Sequence, residues 1–219
     1  EESDDARKAA ESRLSLLTPV VKGWNTETAQ EVTSLGVQIH GGMGYVEETG
    51  AAQHMRDARI LPIYEGTTGI QALDFAGRKV LGDEGREIKS LIGELQDACD
   101  AMEKDDALQS VGRDVRWGLE QLEQGVDWLL SSAADNPAAV GTASVNLLML
   151  AGIVLGGAFL AKATLASRSD EGRVDASFAE TKLATMRFYC GHVMPRAHGY
   201  LAAATAEPST TMGLDVAAI

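Results

Sequence analysis

The sequence predicts an all-α protein, one helical bundle followed by a second. Three observations carry this. Apolar residues recur at steps of three and four through most of the chain, the spacing of one face of an α-helix. Aromatic residues make up only 5% of the 219 residues while 45% are hydrophobic, a balance that favours helix over β-sandwich. Glycine, proline and asparagine punctuate the periodic stretches where helices stop and start.

Residues 4–21 read as a first helix. Asp4 and Asp5 suit its positive end, and Leu14, Leu17, Val20 and Val21 share a face. Pro19 is expected to kink or restart it. Asn25 and Thr26 then cap a second helix whose inner face is Ala29, Val32, Leu35 and Ile39. Gly41 and Gly42 stop it. A short helix covers 51–60 before Pro62, and another covers 67–81, with Ile70, Leu73, Gly77, Val80 and Leu81 inward.

After Gly82 the composition shifts. Two charged amphipathic helices are expected over 87–108 and 109–132. Ile88, Leu91, Ile92 and Leu95 face inward from one; Val115, Leu119, Leu122, Val126, Leu129 and Leu130 do so from the other. A turn at Asp135-Asn136-Pro137 opens a long apolar helix to residue 167. Asp170-Glu171-Gly172 reads as a loop, and 175–205 as a last helix kinked at Pro195. The expected units are 1–82 and 83–205, with a loose tail at 206–219.

Acidic residues outnumber basic ones 32 to 19, a net charge of −13 and a pI near 4.7. Nucleic acid and anionic membrane surfaces are therefore disfavoured as partners. Cys99 and Cys190 lie far apart and form no redox motif. His54, His192 and His198 make no metal spacing with cysteines or acids. A reducing, cytoplasmic setting is expected. The chain begins Glu1-Glu2-Ser3 without methionine, as a piece of something longer would. Residues 136–161 carry no charge and could span a bilayer on length alone. Thr142, Ser144 and Asn146 lower their hydrophobicity, and no aromatic belt flanks both ends. The expectation is a buried core helix outside any membrane.

One region concentrates polar chemistry. It reads Gln38-Ile39-His40-Gly41-Gly42-Met43-Gly44-Tyr45, then Met55-Arg56-Asp57-Ala58-Arg59, then Ile63-Tyr64-Glu65-Gly66-Thr67-Thr68-Gly69-Ile70-Gln71. The glycines let a backbone approach something bulky. Gln38 suits hydrogen bonding to ribose, phosphate or amide. Glu65 precedes a helix start, where free amides and the helix dipole can hold a carboxylate. Alone, Gly41-Gly42 is an ordinary helix stop, and Glu65 an ordinary helix-start acid.

In order and spacing these segments resemble the C-terminal domain of the acyl-CoA dehydrogenases. The match is good over 4–81 and weaker beyond 85, where it resembles the subgroup with an extra helical C-terminal domain. The resemblance implies that Glu65 is the base that takes the α-proton of an acyl-CoA thioester, the β-hydrogen leaving as hydride to N5 of FAD. It implies that Tyr64 and Gly66 line the acyl pocket. Gln38, Ile39, His40, Gly41 and Gly42 would contact the adenosine-diphosphate half of FAD held mainly by a neighbouring subunit, and Thr67, Thr68 and Gly69 would lie against the cofactor. The thioester carbonyl would be held by the Glu65 amide and a flavin ribityl hydroxyl. A bound acyl chain would desolvate Glu65 and raise its affinity for the proton.

Thr68-Gly69 stands where many relatives have Ser-Gln, and Met43 where many have Asn. Further partners implied are an electron-transfer flavoprotein as electron acceptor, a homo-oligomer, and an absent N-terminal portion that supplies most of the flavin site. Two other readings remain beside the dehydrogenase: a non-catalytic helical interaction or oligomerisation domain of a related flavoprotein, and an acyl-CoA oxidase.

Overall fold

A single helix of 36 residues, α1 (Asp4–Ile39), forms the spine of the N-terminal half. The computed structural model describes residues 4–169, 175–213 and 217, and among them there are helices and turns but no strand. Pro19 lies inside α1 without ending it, at the cost of one missing N–H donor. Asn25 and Thr26 cap nothing. Thr26 Oγ1 donates back along the same helix to the carbonyls of Lys22 (2.8 Å) and Gly23 (3.2 Å). The expected restart is absent because Leu16, Pro19, Val20 and Gly23 are buried in one continuous line. The predicted inner face is not inner. Val32 is 59%, Leu35 53% and Ile39 84% exposed, since no described element covers that side of α1.

The chain then folds back along α1 through α2 (Gly42–Tyr45), a 3₁₀ turn (Glu47–Thr49) and α3 (Ala51–Ala58). Gly44 makes the reversal possible. A Cβ there would sit 2.2 Å from the Val37 carbonyl oxygen. After the loop that carries Glu65 comes α4 (Thr68–Leu73), which widens into π turns over Asp74–Leu81. The wider turns alter the helical phase, so Ala72, Phe75, Ala76 and Val80 are buried. Ile70 and Leu73, expected inward, are 57% and 47% exposed.

The second half follows its periodicity closely. Helix α5 (Arg86–Met102) buries Ile88, Leu91, Ile92 and Leu95, and α6 (Gln109–Asp135) buries Val115, Leu119, Leu122, Val126 and Leu129. Helix α7 (Ala138–Ser169) is the central post, packed by α1, α4, α6, α8 and α9. By length and composition it could cross a membrane, yet 72% of its most apolar stretch is buried inside the protein. Asp175 caps α8 (Ala176–Phe188) by accepting from the Ser177 amide at 2.9 Å. Helix α8 continues as π turns over Tyr189–Val193, followed past Pro195 by α9 (Arg196–Ala204) and the short α10 (Ser209–Met212) inside the expected tail. The expected loop at 170–172 lies outside the described residues. Both cysteines are buried, and burial pushes the Cys99 thiol up to about 11 and Cys190 to about 12, which disfavours the thiolate at both.

An ion-pair cluster ties the two halves together away from the core. Arg13 on α1 donates to Glu87 at 2.6 Å and to both oxygens of Glu94 at 2.6 and 3.1 Å, both acids lying on α5. The hydrogen bond from Arg13 holds the Glu94 carboxyl below its ordinary range. A carboxyl depressed in the folded state stabilises above its unfolded value, near 4.3, and the gain is lost as pH falls through the folded value. Solvent screens so exposed a pair, so Arg13→Gln is expected to cost only about 0.5–1 kcal/mol at neutral pH. Urea unfolding should show this loss at pH 7 and its disappearance once the pH is low enough to protonate Glu94 in the folded protein.

Candidate functional site

The loop between α3 and α4 is built around an unusual backbone. Glu65 has φ 53° and Gly66 φ 87°, two consecutive residues in the left-handed region. For glycine this costs little; for glutamate it stores roughly 1–3 kcal/mol that its surroundings must hold. Glu84 shares the feature, but at a helix end beside Gly85, where such a conformation is common.

What holds Glu65 is visible around it. The Thr68 amide donates to the Pro62 carbonyl at 3.2 Å and closes the loop on itself. Gln71 Nε2 donates to the Glu65 carbonyl at 3.1 Å. Glycine suits position 66, whose φ of 87° a side chain rarely adopts, and a Cβ there would also press on that same Gln71 nitrogen at 2.8 Å. Helix α1 grips both ends. Lys22 Nζ donates to the Leu61 carbonyl at 2.6 Å and sits 5.5 Å from the centre of the Tyr64 ring. Thr68 Oγ1 donates to Glu27 Oε1 at 2.5 Å. Further along, Gln30 Nε2 donates to the Ala58 carbonyl at 2.5 Å and caps the end of α3.

The Glu65 side chain is exposed and has no hydrogen bond or ion pair among the described residues. It is not held by helix-start amides, as its position suggests. The N-cap is Thr67, whose Oγ1 accepts from the Ile70 amide at 3.4 Å. A carboxylate with a fixed backbone and a free head is available to take a proton from a bound molecule.

The other predicted residues fall into two groups. Tyr64, Glu65, Gly66, Thr67, Thr68 and Gly69 lie together against the middle of α1. Gln38, Ile39, His40, Gly41 and Gly42 lie at its C-terminal end. Eleven residues of helix separate Glu27 from Gln38, about 16 Å at 1.5 Å per residue. The chain does not gather the two groups into one cleft. Gln38 is exposed, and His40 Nδ1 lies 2.8 Å from the Gly36 carbonyl. Gly41 has φ 58°, and a Cβ at Gly41 or Gly42 would meet nothing within 4 Å. This open glycine backbone leaves room for the close approach of a bulky ligand. No group of three or more potential metal ligands occurs among the described residues.

Sequence reasoning missed Lys22, Glu27 and Gln30 as supports of the loop. A signal existed: Lys22, Thr26 and Gln30 recur every four residues on one face of α1, where an apolar stripe would serve a plain core contact. Gln71 lay within the singled-out segment, without a role.

Residues 4–80 match the family described as acyl-CoA dehydrogenase, C-terminal domain, and residues 91–215 match that described as acetyl-CoA dehydrogenase C-terminal like. The chain is 42% identical to a 3-methylmercaptopropionyl-CoA dehydrogenase of Ruegeria pomeroyi over 193 residues, 87% of this chain and 33% of that protein. It is 30% identical to the broad-specificity linear acyl-CoA dehydrogenase FadE5 of Mycobacterium tuberculosis over 212 residues, 92% of this chain and 34% of that protein. The crystal structure of Caenorhabditis elegans ACDH-11 in complex with C11-CoA superposes with a TM-score of 0.65 at 25% identity, covering 86% of this chain and 30% of that one. The chain thus spans about a third of the length of these relatives.

Proposed function

Because the chain belongs to the acyl-CoA dehydrogenase family, matching its C-terminal helical region, we propose that the protein carrying it converts an acyl-CoA thioester to the 2-enoyl-CoA, with Glu65 as the base. The observation that carries this is the Glu65–Gly66 turn. A glutamate is held in a strained backbone by Gln71, with α1 gripping both ends of its loop, while its carboxylate has no partner among the described residues.

In this reading Glu65 takes the α-proton, and its own amide supports the charge that develops on the thioester oxygen. Tyr64, steadied by Lys22, and Gly66 border the acyl chain. FAD, when bound, supplies the two-electron acceptor for the β-hydrogen. The exposed backbone at Gln38–Gly42 meets its diphosphate half, and Thr67–Gly69 borders it. The family resemblance implies that Gln38–Gly42 serves a flavin site on a neighbouring subunit, and its separation from Glu65 along α1 accords with that. The reading therefore includes a homo-oligomer, for which the uncovered stripe of Val32, Leu35, Ile39, Met43 and Tyr45 supplies apolar surface. Reducing equivalents then pass to an electron-transfer flavoprotein, in the cytoplasm.

The test is anaerobic mixing of the purified full-length protein with a panel of acyl-CoAs, followed at the flavin absorbance, with its mass taken by light scattering. Bleaching by at least one thioester in an oligomer is the expected result. A protein that retains flavin and is bleached by none would refute the dehydrogenase reading.

A further inference from the structure

We propose that Glu27 is a positioning residue for proton abstraction: through its hydrogen bond from Thr68 it sets the reach of the Glu65 loop. This rests on the reading of Glu65 as the base. The loop has two ends and α1 holds each by one polar contact. Lys22 holds the entry through the Leu61 carbonyl, and Glu27 holds the exit through the Thr68 hydroxyl. The exit contact is the more direct for Glu65. Thr68 is three residues away, its amide closes the loop onto Pro62, and it begins the helix that presents Gln71 to the Glu65 carbonyl. Three bonds thus converge on one short segment, and of these three the Glu27–Thr68 bond is the one that reaches α1.

The Glu27 carboxylate is suited to this role. It is half-buried on the rim of a groove formed by Trp24, Thr28, Glu31, Thr68, Met149 and Tyr200. A carboxylate is a good acceptor for a hydroxyl, and the two oxygens lie 2.5 Å apart. Its neighbour one turn on, Glu31, is paired with Arg196 of α9 at 2.8 Å, which relieves repulsion between the two acids. The Thr68 hydroxyl is therefore turned towards α1.

The experiment uses the full-length flavoprotein and four variants: Thr68→Val, which keeps the shape and removes the hydroxyl; Glu27→Ala; Glu27→Gln, which keeps an acceptor oxygen; and Thr68→Val with Glu27→Ala. Misplacing a reacting group by 1 Å costs up to ~10²-fold. Thr68→Val and Glu27→Ala should therefore slow flavin reduction at saturating acyl-CoA by about 10- to 100-fold. In the two Glu27 variants flavin content should be unchanged, and the half-saturating concentration should stay within about twofold. Glu27→Gln should recover most of the rate, and the double variant should be no slower than the slower single one.

Wild-type rates in Thr68→Val, failure of Glu27→Gln to exceed Glu27→Ala, or multiplicative losses in the double variant would each overturn the proposal. Glu65→Gln run alongside separates the two ideas. If it bleaches like wild type, the base reading falls. If it is silent while Thr68→Val is fast, only the role of Glu27 falls.

Discussion

Glu65→Gln in the full-length protein should slow flavin reduction by acyl-CoA ~10²–10⁴-fold, the usual cost of losing a general base, while flavin stays bound. Glutamine matches glutamate in size and cannot accept the proton. The Gln71 bond goes to the backbone carbonyl of residue 65 and is indifferent to that side chain. Neither Lys22 nor Glu27 touches the side chain, so the loop should keep its shape. Thermal unfolding should therefore be nearly unmoved, and a large loss of rate then has to be chemical. Glu65→Gly is a useful second variant. It removes the carboxylate and also relieves the positive φ, so it should be as inactive and modestly more stable. Stopped-flow absorbance and a melting curve on the same samples check both halves. Bleaching of Glu65→Gln at the wild-type rate would remove Glu65 from the chemistry.

The second large effect concerns stability and sits at Gly152. In sequence, Gly152 and Gly156 form a matched pair four residues apart on α7. In the fold they are not equivalent. A Cβ at Gly152 would lie 2.4, 2.5 and 2.6 Å from Cγ, Cβ and Cδ2 of Trp24 on α1. Those atoms are at the root of the indole, so it cannot swing aside without moving the helix. At Gly156 the nearest atoms are Tyr189 Oη at 3.4 Å and Trp24 Nε1 at 3.9 Å, ordinary contacts. Gly152→Ala is expected to cost about 1–3 kcal/mol by overpacking. Gly156→Ala should be neutral or gain up to about 1 kcal/mol from helix propensity. Denaturant unfolding of the two variants decides the matter. Adding Trp24→Ala should make the Gly152→Ala loss smaller than the sum of the separate losses, because the clash is with that ring. Equal effects at the two glycines would show that the close approach of α1 and α7 is wrong.

The sequence was most legible where a helix has one buried face and regular geometry. Helices α5 and α6 bury the residues their periodicity names, except Leu130, which is only partly buried. Two physical effects hid the rest. Turns of π geometry shift the phase after Leu73, so a projection at 3.6 residues per turn put Ile70 and Leu73 inside when Ala72 and Phe75 are there. Threonines bonding back along α1 resemble caps in a sequence, and only burial along Leu16, Val20 and Gly23 shows that the helix runs on. The apolar periodicity of Val32, Leu35 and Ile39 was real, but periodicity does not say which body covers a face. At the site, residue types pointed to Glu65, and Thr67 marked the helix start. The left-handed backbone of Glu65 carries no sequence mark, because glutamate is an unusual residue to find there. Its supports on α1 lie about forty positions away in the chain, beyond any local pattern.

The wide turn at Tyr189–Val193 bears on where the chain can change length. A π turn takes up one residue more than an α turn while the helix after it keeps its phase. Met194 and Ala197, both buried, therefore stand where a plain helix one residue shorter would put them. Gly191 is exposed in that turn, and a Cβ on it would touch nothing. Its removal would convert the turn to ordinary helix and leave Met194 and Ala197 facing the core. A deletion in the regular part of α8 would instead swing both by about 100°. Length variation in the last third of the molecule has a natural seat at this turn, which works as a slack link in an otherwise rigid chain.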